Sequence, residues 1–216
     1  MGDYLTIPVF NAARSGRSTR SFINEGLWSR LLSGTAPGDF VLIEMGHNDE
    51  GDPSNSTSHR ATLPGIGDDT VETTTASGKA ETVHSFGWYL RKMVADIQER
   101  EAIPLISGMV NRNQWRGEQL RPGWPFARDA AKVAKKLGVE YIDHTHYSVA
   151  VFQQMGSAKA SAYFPNDHTH TNPGGARINA ETLVQAIKCA CRTSQLVGYL
   201  NDKASEVSAP ACLEEC

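Results

Sequence analysis

The segment Phe164-Pro-Asn-Asp-His-Thr-His-Thr-Asn-Pro-Gly-Gly175 sets Asp167 three residues before His170, with Asn172-Pro173 opening a helix just behind them. A carboxylate and an imidazole at this spacing can form an oriented general base, two of the three groups of a hydrolytic triad. Acyl transfer also needs a nucleophile, and donors for the tetrahedral oxyanion. Gly16, in Arg14-Ser-Gly-Arg-Ser18, stands where the lack of a Cβ lets a backbone N–H approach a ligand. Asn48, in Gly46-His-Asn-Asp49, can aim a side-chain amide at the same point. Plainer readings stand beside these: a turn cap at Asp167, an ordinary loop glycine at Gly16, an Asx turn at Asn48 or Asp49. His47, Asp49, Asp167, His168 and His170 also compose a ligand set that suits zinc or manganese. Trp115 and Trp124 read either as sugar platforms or as core, and Arg14, Arg17 and Arg20 as an attraction for an acidic substrate or a solvated face.

These residues need a scaffold, and the apolar pattern supplies one. Ile7–Ala13, Asp39–Met45, Ile103–Met109 and Val139–Asp143 read as strands, the second of them apolar enough to be buried on both faces. Helices are expected over Ser18–Leu32, around Phe86–Ile97, over Phe126–Leu137, over about Ser148–Met155, and from Pro173 onward, with Asn172 as cap and Ile178, Leu183, Ile187 and Cys189 inward. Glu50–His84 is rich in Gly, Ser, Thr and Asp and shows no period; a loop of that length tends to be functional. The alternation of strand and helix argues for an α/β fold with a parallel sheet covered by helices. Ligands in such sheets sit beyond the carboxyl ends of the strands. Gly16, Asn48, Asn111–Trp115 and His144 all follow expected strands, so one edge should gather them.

The totals bound the function. At 216 residues the chain fits one domain spanning 1–216, with 192–216 as a tail. With 21 basic and 24 acidic residues, the net charge of -3 leaves no electrostatic footprint for nucleic acid or an anionic membrane. No apolar run approaches the ~20 residues of a membrane span, and no signal peptide precedes Leu5–Phe10. Cys189, Cys191, Cys212 and Cys216 all lie at the end of the chain. Two disulfides tying the tail to the last helix, hence an oxidising compartment, is one reading; a Cys-x-Cys zinc site is the other. The sequon Asn55-Ser56-Thr57 agrees with secretion.

Taken jointly, Asn11–Phe22, Glu44–Asp49 and Phe164–Gly175 resemble three ordered blocks of the SGNH (GDSL-like) hydrolases. More narrowly they are similar to rhamnogalacturonan acetylesterases, carbohydrate esterase family twelve, over about Gly2 to Cys189. The resemblance implies a flavodoxin-like three-layer α/β/α sandwich on a five-stranded parallel sheet. It implies Gly16 as a backbone oxyanion donor, Asn48 as a side-chain donor, Asp167 as the acid and His170 as the base. It also implies an enzyme that works without metal or cofactor and removes acetyl groups from an acetylated polysaccharide or oligosaccharide of pectin; with the cysteine usage it makes an extracellular, secreted protein the expectation, and a monomer is expected.

One block is absent. The family opens with a strand and Gly-Asp-Ser, whose serine is the nucleophile. Here Met1-Gly-Asp-Tyr-Leu5 corresponds to a later segment, and no Gly-x-Ser-x-Gly elbow replaces the block. Ser15, Ser18 and Ser21 are the nearest serines, and the resemblance gives none of them that place. The family's first strand lies inside the sheet, so its loss would strand backbone groups at ~1–3 kcal/mol each. We therefore expect the block, and any leader, to lie ahead of Met1. The chain as numbered should be nearly inactive. The alternatives are a catalytically silent polysaccharide-binding protein and a metal-dependent hydrolase.

Overall fold

The computed structural model describes residues 1–54, 57–121, 123–190, 194–208 and 212. In chain order the helices and strands are α1 (Thr19–Asn24), α2 (Leu27–Ser33), β1 (Phe40–Glu44), β2 (Thr70–Thr74), β3 (Ala80–His84), α3 (Phe86–Gln98) and β4 (Ile103–Ser107). There follow β5 (Trp115–Arg116), β6 (Gln119–Leu120), α4 (Pro125–Leu137), β7 (Glu140–Ile142), α5 (His144–Met155), α6 (Ser157–Ser161), α7 (Pro173–Cys189) and α8 (Asp202–Glu206). The chain divides into two compact units, one of residues 12–109 and 125–141, the other of 1–11, 110–124 and 142–216.

The first of these units carries the parallel sheet, in the order β1-β4-β7. β1 and β4 run parallel in register from Phe40 opposite Ile103 to Glu44 opposite Ser107. α3 and α4 pack on β4 and on each other. Their apolar stripes, Leu90, Met93, Val94 and Ile97 with Ala130, Val133 and Ala134, are buried, as are Leu105 and Ile106 of β4. Phe86 and Phe126 meet edge to face with ring centroids 4.9 Å apart. The α/β class and the helix-flanked parallel sheet are thus as the pattern requires.

Several expectations need correction. Ile7–Ala13 forms no strand, and Val9 and Phe10 are exposed at 44% and 90%; extended chain becomes a strand only with a ladder partner. The helix expected over Ser18–Leu32 is two, because Gly26 takes a left-handed φ of 73° that ends α1 and starts α2. β1 is not covered on both faces: Val41 and Ile43 are buried, while Leu42 is 38% exposed on a strand that pairs, among the described residues, with β4. The long Glu50–His84 segment holds an antiparallel hairpin, with Thr70 opposite His84 and Thr74 opposite Ala80. α5 starts four residues early, at His144, because the Asp143 carboxylate accepts the His146 N–H at 3.1 Å.

The second unit is built on α5 and α7, with a cluster of Leu120, Phe152, Ala160 and Phe164 at its centre. Its chain start is tied to its chain end by a Leu5–Leu200 bridge and by the Thr6 N–H donated to the Tyr199 carbonyl at 2.8 Å. Cys189, closing α7, is bonded to Cys212, which commits it to a disulfide and removes it from a Cys-x-Cys zinc pair. Cys191, Cys216 and the sequon residues Asn55 and Ser56 lie outside the described residues. Among the described residues no helix is long and apolar enough to cross a membrane.

Candidate active site

The acid and the base are assembled by a loop closed at its neck. Asn172 donates its N–H to the Tyr163 carbonyl at 2.9 Å and its side-chain amide to the Ala162 carbonyl at 3.0 Å. Its Oδ1 then caps α7 by accepting the Gly175 N–H at 3.0 Å, with Pro173 in the first turn. Glycine is required at 175, where a Cβ would lie 2.8 Å from the Thr171 side chain. Phe164, buried in the cluster, anchors the loop's entry.

Within that loop Asp167 bends back on itself. Its Oδ1 accepts the N–H groups of Thr169 at 2.6 Å and His170 at 2.7 Å. Its Oδ2 lies 2.7 Å from His170 Nδ1. The hydrogen bond from the His170 ring, reinforced by the two backbone donors, holds the Asp167 carboxyl well below the usual carboxylate range. An ionised carboxylate facing Nδ1 puts the ring proton there and leaves Nε2 as the acceptor. The His170 side chain is 65% exposed, so Nε2 is open to a reactant. This is the geometry that an oriented general base requires.

In the other unit Gly16 and Asn48 are brought together, and a residue that sequence reasoning passed over does it. Gly16 adopts φ +75°, and its carbonyl accepts Arg60 Nη1 at 2.8 Å. The same nitrogen lies 3.4 Å from Asn48 Oδ1. Asn48 Nδ2 in turn is 3.4 Å from the Arg17 carbonyl. A Cβ at position 16 would sit 3.0 Å from Arg60 Nη1, so the loop is fitted around that guanidinium. Fixing Oδ1 against a cation sets the amide so that its NH2 faces the Arg17 carbonyl and points away from Arg60.

Asp49 supports the same loop from beneath and is fully buried. Its Oδ1 accepts the Thr19 hydroxyl at 2.5 Å and the Thr19 N–H at 3.1 Å, capping α1 across thirty residues of sequence. Its own carbonyl accepts the Thr62 N–H at 3.0 Å. Burial pushes its carboxyl up to about 7, partly offset by the Thr19 and Thr62 donors. Asp49 is thus neither an Asx turn nor available to a metal, and among the described residues no three His, Cys, Asp or Glu side chains are grouped to hold one.

Other candidates fall to structural duties. Ser18 and Ser21 are buried and bond each other in the capping box of α1. Arg20 is neither solvated nor a substrate lure: it is fully buried, bound through two nitrogens to Glu81 at 2.8 and 2.5 Å, with the Ala61 carbonyl at 3.0 Å. Arg17 pairs with Glu25 at 2.8 Å. His144 is a core histidine, its Nε2 between the Asn179 carbonyl and the Thr182 hydroxyl. Trp124 is buried under Arg121, whereas Trp115 is half-exposed.

Comparison with known proteins fits these motifs. The sequence profile described as the GDSL-like lipase/acylhydrolase family matches residues 1–178. A rhamnogalacturonan acetylesterase of Emericella nidulans is 36% identical over 194 residues, covering 88% of this chain and 78% of that protein. A probable rhamnogalacturonan acetylesterase of Bacillus subtilis is 29% identical over 188 residues, covering 84% and 77%. Among solved structures, a Bacillus subtilis protein superposes with a TM-score of 0.65 at 22% identity over 85% of this chain, which spans only 46% of that longer protein. An acetylxylan esterase from Geobacillus stearothermophilus gives a TM-score of 0.53 at 13% identity, covering 80% of this chain and 68% of that one. At these identities the structural likeness is one of fold, while the profile and the Emericella relative carry the family assignment. The chain belongs to the GDSL-like lipase/acylhydrolase family.

Proposed function

We propose that this protein is a carbohydrate ester hydrolase of the acetylesterase kind, acting extracellularly on acetyl groups of pectic rhamnogalacturonan. The observation that carries the reading is the Asp167–His170 pair at 2.7 Å, with the second carboxylate oxygen already held by backbone donors. In this reading His170 Nε2 takes the proton of a serine hydroxyl as its oxygen attacks the acetyl carbonyl. The Gly16 N–H and the Asn48 amide hold the resulting oxyanion. Collapse expels the sugar hydroxyl, which recovers the proton from His170. Water then attacks the acetyl-enzyme by the same route and releases acetate.

No Gly-Asp-Ser occurs in the 216 residues, so we assign the 216-residue chain only trace serine-dependent turnover. The residual rate of a triad without its nucleophile is still ~10³–10⁴ above water, which sets the sensitivity required. The test measures acetate release from acetylated rhamnogalacturonan and, by calorimetry, binding of its oligosaccharides. Binding with trace release is expected. Rapid release abolished by a fluorophosphonate would expose an unassigned serine and overturn the forecast of trace turnover. Neither binding nor release would sink the substrate assignment. A second reading is a polysaccharide-binding protein without turnover, for which binding with no release above background is the signature.

A further inference from the structure

A cleft of about 530 Å³ opens on the β5–β6 hairpin, lined by Gln114, Trp115, Arg116, Gln119, Leu120 and Arg121. Its lining carries two guanidinium groups and no carboxylate; Glu118 lies at the hairpin tip and does not line it. Arg116 is exposed, and its side chain makes no ion pair among the described residues. Arg121 lies over the Trp124 ring, its guanidinium carbon 3.8 Å from the centroid, and is held by bonds from Nε to the Gly123 carbonyl and from Nη1 to Gln114 Oε1, both at 3.3 Å. A guanidinium fixed in its plane is the group best suited to a carboxylate. Trp115 packs on the Leu120–Phe152–Phe164 cluster and also lines the cleft. Its indole N–H is donated to Asn113 Oδ1 at 2.7 Å, so the ring is locked rather than free to swing. A rigid, half-exposed indole is a surface for the apolar face of a sugar.

The hairpin is pinned on both sides. Gln153 of α5 accepts the Leu120 N–H at 2.7 Å and donates to the Glu118 carbonyl at 2.9 Å. On the other side the Asn113 N–H is donated to the carbonyl of His168 at 2.7 Å. His168 lies between Asp167 and His170, so the segment entering the hairpin is bonded directly to the loop that holds the acid and base. A smaller cleft elsewhere, about 310 Å³, lacks this character: its Arg91 is paired with Asp68, and His84 stacks on its Trp88 at 3.7 Å.

We propose that the β5–β6 cleft is a subsite for a carboxylate-bearing sugar ring, a hexuronate, stacked on Trp115 with its carboxylate on Arg116 and Arg121. The inference rests on the reading of the chain as a glycan esterase, and places an acidic ring of the glycan beside the acid–base loop. Calorimetry of the 216-residue protein with trigalacturonate and with neutral galactotriose tests it. Trigalacturonate should bind and galactotriose should bind at least about tenfold more weakly, with salt weakening only the former. Arg116→Gln, an exposed change that leaves the fold alone, should cost about tenfold in trigalacturonate affinity, and Trp115→Ala more. Arg121→Gln serves as a second variant, its folding checked by circular dichroism. Equal affinity for the two sugars, or unchanged affinity in Arg116→Gln and Trp115→Ala, overturns the subsite. Acetylated rhamnogalacturonan oligosaccharide bound equally by wild type and by these variants overturns it while leaving the esterase reading intact. Trigalacturonate bound through Arg116, with acetylated rhamnogalacturonan neither bound nor hydrolysed, confirms the subsite and removes the esterase reading.

Discussion

At the scale of single residues, the buried Asp49 makes the sharpest forecast. Its carboxyl is raised from the ordinary 3.8 to about 7 by burial, so the native state holds a proton that the unfolded state has released. Its stabilising contribution is full below pH ~4 and is lost as pH rises through 7. Asp49→Asn keeps an acceptor for Thr19 but cannot titrate, so its melting temperature should be flatter than wild type across that window. Thermal melts at pH 4, 5.5 and 7.5 check this; parallel curves for the two proteins would show that Asp49 does not titrate there. Arg60 acts through its neighbours, touching the Gly16 carbonyl and Asn48 Oδ1. Arg60→Ala should shift the Gly16 amide and Asn48 side-chain amide resonances, at a stability cost of about 0.5–1.5 kcal/mol. Unmoved resonances would mean the guanidinium does not set that amide. The sequence exposed Asp167, His170, Gly16 and Asn48 because each sits in a short, chemically loaded motif. It hid Arg60 because nothing local marks an arginine within a polar loop; only the fold brings it back to Gly16.

Among the elements, the helices with one apolar face and a legible cap were readable, and those with a hidden break were not. α3, α4 and α7 follow the period, and α7 has its Asn172 cap and Pro173 where the sequence puts them. The stripe Phe22, Ile23, Leu27, Leu31 and Leu32 runs through the α1–α2 break, so periodicity alone joins two helices that Gly26 separates. β2 and β3 stayed invisible because Thr70–Thr74 and Ala80–His84 are mostly polar, with the buried Val83 as their one strong apolar mark. What orders the hairpin is remote: the buried Arg20 holds Glu81 through two bonds. The Cys189–Cys212 bond belongs to this scale also. It closes a loop with a sequence separation of 23, which chain entropy rates at about 3 kcal/mol. Reduction should lower the melting temperature and admit protease beyond α7, and an unchanged melt would show the bond to be dispensable.

For the molecule as a whole, the decisive feature is the place of β1 at the end of the sheet order. Among the described residues its strand neighbour is β4, and Leu42 is exposed. The relatives are longer, this chain covering 78% of the Emericella protein. A strand ending in Gly-Asp-Ser, added ahead of Met1, should pair there and bring a nucleophile. We expect it to raise the melting temperature and to lift acetate release from acetylated rhamnogalacturonan by about two orders of magnitude or more. Release restored without a gain in stability would show that the strand docks somewhere other than this edge. The family and its α/β fold were legible in three motifs and their order. The strand count was not, since sequence marks apolar runs and only pairing turns a run into a strand.

α7 ties two of these observations together in a mechanical sense. It begins at the Asn172 cap that closes the acid–base loop and ends at Cys189, where the tail is clamped. Seventeen residues of continuous helix make a strut of roughly 25 Å. The loop is latched at its own neck, by Asn172 to Tyr163 and Ala162, before the strut begins. The clamp and the latch thus stand at opposite ends of one rod, each made by its own bonds.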